Sequence, residues 1–135
     1  MVGMIAIGLG CSSRATAAEI CALVRGMLAA APAYAEATLF TLARKVDHAA
    51  LREAAAQLGM AIVFLDEAEF AARQPEFFAR GAAPSAAALE KTGFASVAEA
   101  TALMGGGPRA RLIAPRRASK NVTCALAAPA DELTS

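Results

Sequence analysis

The chain has 135 residues, enough for one domain around a single buried core. Its 57% hydrophobic content is weighted towards alanine, aromatics make up only 5%, and there is no tryptophan, which excludes a base-stacking surface. The formal net charge of +1 excludes a nucleic-acid-binding character for the chain as a whole, so any basic site must be local.

The apolar start, residues 1–10, has no basic flank and is too short for a membrane span or a signal peptide. No window of about 18 uninterrupted apolar residues follows it. A soluble cytoplasmic protein with no membrane partner is expected. Cys11, Cys21 and Cys124 have neither CxxC spacing nor neighbouring histidines, so no metal site, no cofactor and no disulfide framework are expected.

Met4–Leu9 is a wholly apolar run of the kind that forms a strand buried on both faces of a parallel sheet. Thr16–Ala30 follows as a helix, because Ile20, Leu23, Val24, Met27 and Leu28 recur at helical spacing and Pro32 lies past the end. Residues 37–42, "ATLFTL", read as the second strand. Asp47 is placed to cap a helix through Leu58, with Leu51, Ala54, Ala55 and Leu58 on one face and Gly59 as its stop. Residues 61–65, "AIVFL", form the third strand, and Asp66 with Glu69 opens a further short helix.

Residues 74–83, "QPEFFARGAA", combine proline and glycine with no period, which predicts a mobile segment. Ser85 is expected to cap a short helix ended by Gly93. Ser96 with Glu99 makes a capping box for a helix ended by the glycines at 105–107. Two strand-like runs close the chain, Arg111–Ala114 and Val122–Ala127, joined as a hairpin by a basic loop.

Strands alternating with helices imply an α/β fold: a three-layer α/β/α arrangement on a mostly parallel, mixed sheet of about five strands with a C-terminal hairpin. Residues 1–127 are expected to form a single domain and 128–135 a flexible tail. Ligands of such sheets sit outside the carboxyl ends of the strands. The loop "GCSSRAT" follows the first strand and "ARKVD" the second. If the strand at 111–114 runs parallel to these, the hairpin tip "PRRASKN" reaches the same edge and three polar loops converge.

In the first loop, Gly8 and Gly10 permit close approach of a ligand to the backbone, and Ser12, Ser13 and Thr16 supply hydroxyls. Arg14 offers a fork of donors, and the helix start offers free amides. The position of a third fingerprint glycine is occupied by Ser13, and no Gly-Lys-Ser/Thr follows, so neither a dinucleotide fingerprint nor a P-loop is present. The same residues equally suit a plain strand-to-helix corner. Cys11 is either a thiol activated by the helix start and Arg14 or a small half-buried residue, and its one available base is His48. Lys45 is a ligand contact or a solvated lysine. Arg116, Arg117 and Lys120 bring three cations within five residues, with Ser119, Asn121 and Thr123 adding hydrogen-bonding groups, a set that suits a polycarboxylate or phosphate.

Taken in order, "IGLGCSSRATAAEI", "ATLFTLARKVD", "PSAAALEKTGFASVAEATALMGGG" and "LIAPRRASKNVTCALA" resemble the cobalamin-biosynthesis proteins of the CobE type, whose domain also forms the C-terminal part of CbiG proteins. The likeness covers nearly the whole chain. At this length the chain looks like the stand-alone type rather than CbiG. The resemblance implies a role in building the corrin ring in the aerobic pathway, with an anionic tetrapyrrole (corrin or precorrin) intermediate as ligand and the protein as carrier or accessory factor. Arg14, Lys45, Arg116, Arg117 and Lys120 would then pair its carboxylates, the amides near Gly8 and Gly10 would receive one, and Phe77 and Phe78 would cover the ring face. The alternative is a small enzyme, a hydrolase or rearrangement catalyst acting on a precorrin. Other pathway enzymes, such as methyltransferases, are implied as partners. The chain departs from the family pattern at His48, where a glutamate is common, and at Arg116, where lysine is common.

Overall fold

In the computed structural model, which describes residues 2–94 and 96–132, the first apolar run forms β1 (Val2–Cys11). It is followed by α1 (Ala17–Ala29), β2 (Tyr34–Leu42), α2 (Ala49–Leu58), β3 (Ile62–Leu65), α3 (Glu67–Ala72) and α4 (Gln74–Ala79). The chain then forms α5 (Ala86–Thr92), α6 (Ala98–Gly106) and the strands β4 (Ala110–Ala118) and β5 (Val122–Pro129). Single 3-10 turns cover Ala43–Lys45 and Ala130–Glu132.

The strands make one five-stranded sheet in the order β3-β2-β1-β5-β4. β1, β2 and β3 are parallel; β5 is antiparallel to β1 and β4 antiparallel to β5, so β4 runs in the direction of β1. The α/β class and the mixed sheet expected from the sequence are found. Right-handed crossovers account for the layers. Both β1-α1-β2 and β2-α2-β3 step towards the same sheet edge, so α1 and α2 share a face, where Ile20, Val24, Leu51 and Ala54 pack on Ile5, Ile7 and Leu9. The return from β3 to β4 steps the other way. It therefore places Phe70 of α3, Phe77 of α4 and Leu103 of α6 on the opposite face, against Ala125 and Ala127.

α6 lies close against the sheet centre. A Cβ on Gly8 would collide with the Ala98 carbonyl oxygen and stand 2.6 Å from the Ala102 nitrogen, so only glycine lets this helix approach β1. Every residue of α6 from Ala98 to Leu103 is buried.

Several expected caps form. Thr16 accepts from the Glu19 amide at 3.1 Å, Asp66 from the Glu69 amide at 2.9 Å and Ser85 from the Ala88 amide at 3.2 Å. Gly59 ends α2 with φ +67° and Gly93 ends α5 with φ +82°.

Others do not. His48, not Asp47, is the N-cap of α2, and its side chain makes no capping bond. The Ser96–Glu99 box is absent: Val97 is the N-cap of α6, and the buried Ser96 hydroxyl has no partner among the described residues. Glu99 is drawn away because its carboxylate accepts from the Ala83 amide at 2.8 Å and the Arg116 amide at 3.1 Å.

The stretch expected to be mobile contains a helix instead. Pro75 sits in the first turn of α4, where its missing N–H costs nothing. Phe77 is fully buried with its ring centroid 5.7 Å from that of Phe70, so it cannot cover a ligand. Residues 115–118, expected in a loop, are part of β4. Register shifts on either side of Ala114 accommodate Pro115, which cannot donate to the ladder. At the other end of the hairpin, β5 continues through Ala128, which is buried, to Pro129; residues 133–135 of the expected tail lie outside the described residues. No helix among the described residues is long and apolar enough to cross a membrane.

Candidate anion-binding site

The carboxyl ends of β1, β2 and β3 lie at one sheet edge, together with the end of β4 and the start of β5. The chain reverses its progress across the sheet on either side of β1, the kind of switch point at which α/β sheets hold ligands. The condition for convergence is met, since β4 runs with β1.

Hydrogen bonds tie the three loops together. The Ser12 amide donates to the Asn121 carbonyl at 2.9 Å, and the Ser12 hydroxyl to Asn121 Oδ1 at 3.2 Å. The Ser12 hydroxyl also accepts from the Arg14 amide at 3.2 Å. His48 Nε2 lies 2.9 Å from the Ser12 carbonyl oxygen, which can only accept, so that ring nitrogen is the donor. Glu19 completes the assembly. Its Oε2 accepts from the Ser119 hydroxyl at 2.7 Å and the Asn121 amide at 2.8 Å, and its Oε1 from Asn121 Nδ2 at 3.2 Å. The Ser119 hydroxyl, followed by the Asn121 amide, holds the Glu19 carboxyl below the usual carboxylate range.

The candidate residues divide by what they touch. The side chains of Arg14, Lys45, Arg117 and Lys120 form no hydrogen bond or close ion pair with any described residue, although the Lys120 charge helps to lower the Glu19 pKa. Arg116 is engaged: Nη1 donates to the Ala83 carbonyl at 2.7 Å and stands 3.8 Å from Glu99 Oε1. Arg117 sits opposite Cys124 and lines a slot beside Met27 and Ile113, on the α1 face. Strand alternation thus sends Arg116 and Arg117 to opposite faces, and the closing basic run is not one cluster. Ser119 and Asn121 are committed to Glu19, and the Thr123 hydroxyl donates to the Gly10 carbonyl at 3.3 Å. Gly10, like Gly8, serves packing: its Cβ would lie 2.8 Å from Thr123 Oγ1 and 3.4 Å from Val97 Cγ1.

Between the first loop and the first turn of α2 lies an open cleft of about 550 Å³ lined by Ser13, Arg44, Lys45, Asp47 and His48. Cys11 is half-buried nearby. Burial raises its thiol pKa and the Lys45 ammonium only partly opposes this, so the thiol stays protonated at neutral pH and is not an activated nucleophile. Among the described residues no cluster of three or more His, Cys, Asp or Glu is arranged to hold a metal ion.

Residues 5–127 match the family described as "Cobalamin synthesis G C-terminus". The chain belongs to this family of cobalamin biosynthesis proteins. Protein CobE of Sinorhizobium sp is 35% identical over 128 residues, spanning 93% of this chain and 80% of that protein. The crystal structure of CobE, "a protein from the cobalamin (vitamin B12) biosynthetic pathway", superposes with a TM-score of 0.78 at 32% identity, over 94% of this chain and 91% of that one. The cobalamin biosynthesis protein chiG from Agrobacterium tumefaciens str. C58 gives 0.66 at 33% identity, over 94% of this chain and 99% of that one.

In this CobE-type chain, three residues of the edge escape sequence reasoning. Glu19 stands three residues after Thr16 in the spacing of a capping box, yet its carboxylate reaches a loop 102 residues away. Arg44 belongs to the second loop, where Lys45 drew the attention. It pairs with Glu67 through Nη2 at 2.6 Å and Nε at 2.9 Å, and donates Nη1 to the Thr92 carbonyl at 2.6 Å. Glu99, nearly sealed from solvent, anchors β4 and the segment before α5 to α6. Glu19 and Glu99 each stood in capping-box spacing, after Thr16 and Ser96, a local signal that pointed to a helix start and not to the distant partner; Arg44 had none.

Proposed function

We propose that this CobE-type protein binds an anionic, polycarboxylate intermediate of corrin-ring construction at the carboxyl edge of its sheet, acting in the cytoplasm as a carrier or accessory factor of the aerobic pathway. The observation that carries this reading is a first loop bonded to both the second loop and the hairpin tip, with the side chains of Arg14, Lys45 and Lys120 making no hydrogen bond or close ion pair, while the nearby acid Glu19 is occupied by the Ser119 hydroxyl and the Asn121 amides. Unpaired cations on loops already held in place favour carboxylates without a further cost of ordering the backbone. Carriage rather than chemistry is supported by the protonated Cys11 thiol and by the engagement of His48 with Ser12. Hand-over to a pathway enzyme such as a methyltransferase follows from the same reading.

The test is a visible-absorption titration with cobyrinic acid, a corrin whose side arms are free carboxylates, against cobinamide, in which they are amidated. A saturable shift with the first and none with the second is expected. Lys45→Gln combined with Lys120→Gln should weaken binding about tenfold or more, and added salt should weaken it in the intact protein. An unmoved cobyrinic acid spectrum at saturating protein would overturn the binding reading. Conversion of a precorrin by substoichiometric protein would replace the carrier with an enzyme.

A further inference from the structure

Among the described residues, α5 is the one α-helix with no buried residue, and Leu89 at its centre is 53% exposed. Glycines with positive φ flank the segment, Gly81 at +107° and Gly93 at +82°. What holds it in place lies at its two ends. Ala83 is fixed through its amide by Glu99 at 2.8 Å and through its carbonyl by Arg116 Nη1 at 2.7 Å. At the far end, Arg44 Nη1 donates to the Thr92 carbonyl at 2.6 Å, and the same guanidinium lies 5.3 Å from the Phe94 ring centroid.

Arg44 is also among the residues that line the cleft, beside Lys45 and His48. Glu67 grips Nε and Nη2, and its carboxylate also accepts from the Arg44 backbone amide at 2.9 Å. The guanidinium is thereby fixed in orientation, leaving Nη1 on a neutral carbonyl. A carboxylate is the better acceptor, since it adds the attraction of a full negative charge to a bond whose donor is already charged.

We propose that residues 84–93 form a lid beside the candidate site, latched in the free protein by Arg44 and released when a ligand carboxylate takes Nη1 from the Thr92 carbonyl. The release step rests on the binding reading above; the latch in the free protein does not. Release leaves the Glu67 pair intact, so α3 and the sheet are undisturbed. It frees the Thr92 end, so that Leu89 and its helix move about Gly93 and the chain just after the anchored Ala83, which opens the edge for transfer of the bound molecule.

Amide hydrogen exchange on the full chain tests this. In the free protein the amides of Leu89 and Gly93, bonded to Ser85 and Leu89 at 3.0 and 2.9 Å, should exchange through an opening insensitive to denaturant, while those of α6 exchange only with global unfolding. Arg44→Gln should accelerate exchange across 84–93 about tenfold or more and leave α1 and β5 unchanged. Cobyrinic acid should accelerate the same amides in the intact protein and not in Arg44→Gln. If α5 opens only with the whole molecule, or if Arg44→Gln leaves it unchanged, the latch is overturned whether or not a ligand binds. A spectral shift with unchanged or slowed lid exchange overturns the release step and leaves the binding reading standing. No spectral shift defeats the binding reading and the release step together, and the free-protein measurements then decide the latch. Should Arg44→Gln fail to fold, the denaturant dependence in the intact protein still decides it.

Discussion

The Glu19 carboxylate gathers the Ser119 hydroxyl and both the backbone and side-chain amides of Asn121, and so ties the first turn of α1 to the hairpin tip. Its folded-state pKa lies below the ordinary carboxylate range, first because of the Ser119 hydroxyl. Between the folded and unfolded values the unfolded chain binds more protons. The contribution to stability is therefore present above the ordinary carboxylate pKa and is lost as pH falls through the folded value. Glu19→Gln keeps one acceptor oxygen but removes the charge. The variant should melt below the parent at neutral pH, and the gap should close on acidification. A gap in melting temperature that stays constant from neutral to acid pH contradicts this role. The carboxylate's target was not legible in the sequence, because a contact over 102 residues leaves no local pattern.

Among the helices, capping separates what sequence spacing implies from what competition decides. Thr16 and Ser96 both stand at expected helix starts, but only Thr16 accepts from a first-turn amide. Thr16→Ala should cost about 1 kcal/mol, and Ser96→Ala should stay within about 0.5 kcal/mol of the parent because its hydroxyl is buried without a described partner. Urea midpoints at matched slopes distinguish the two. α4 teaches the complementary lesson. Its six residues contain no helical period to read, yet Phe77 is driven under α6 by its apolar surface, and Arg73 and Arg80 both pair with Glu76 along the helix. In a helix this short, burial and ion pairs replace propensity.

Across the molecule as a whole, α6 carries the second core onto the sheet, and its distance from β1 depends on Gly8. Gly8→Ala pushes a methyl group into the Ala98 carbonyl and should destabilise by about 1–3 kcal/mol or more. Gly26 of α1 is the contrast, since its Cβ would meet nothing within 4 Å. Gly26→Ala should stabilise by about 0.5–1 kcal/mol through helix propensity. Opposite signs in the two urea midpoints are expected; a neutral Gly8→Ala would mean that α6 moves off the sheet at little cost.

Order and type of most elements were legible in the chain itself, because hydrophobic period, capping residues and stop glycines act over a few residues. The α/β class followed from their alternation, and the ordered motifs identified the family. The meeting of the first loop, the second loop and the hairpin tip was legible only as a condition on strand direction, which pairing of β4 with β5 and of β5 with β1 satisfied. Tertiary structure alone decided which basic residues are unpaired. It engaged Arg116 with Ala83 and Glu99, sent Arg117 to the α1 face, and withdrew Gly8 and Gly10 beneath α6 and Val97. Charge and residue type are written in sequence, but the face a strand residue presents and the partner its charge finds depend on register and packing between segments far apart in the chain.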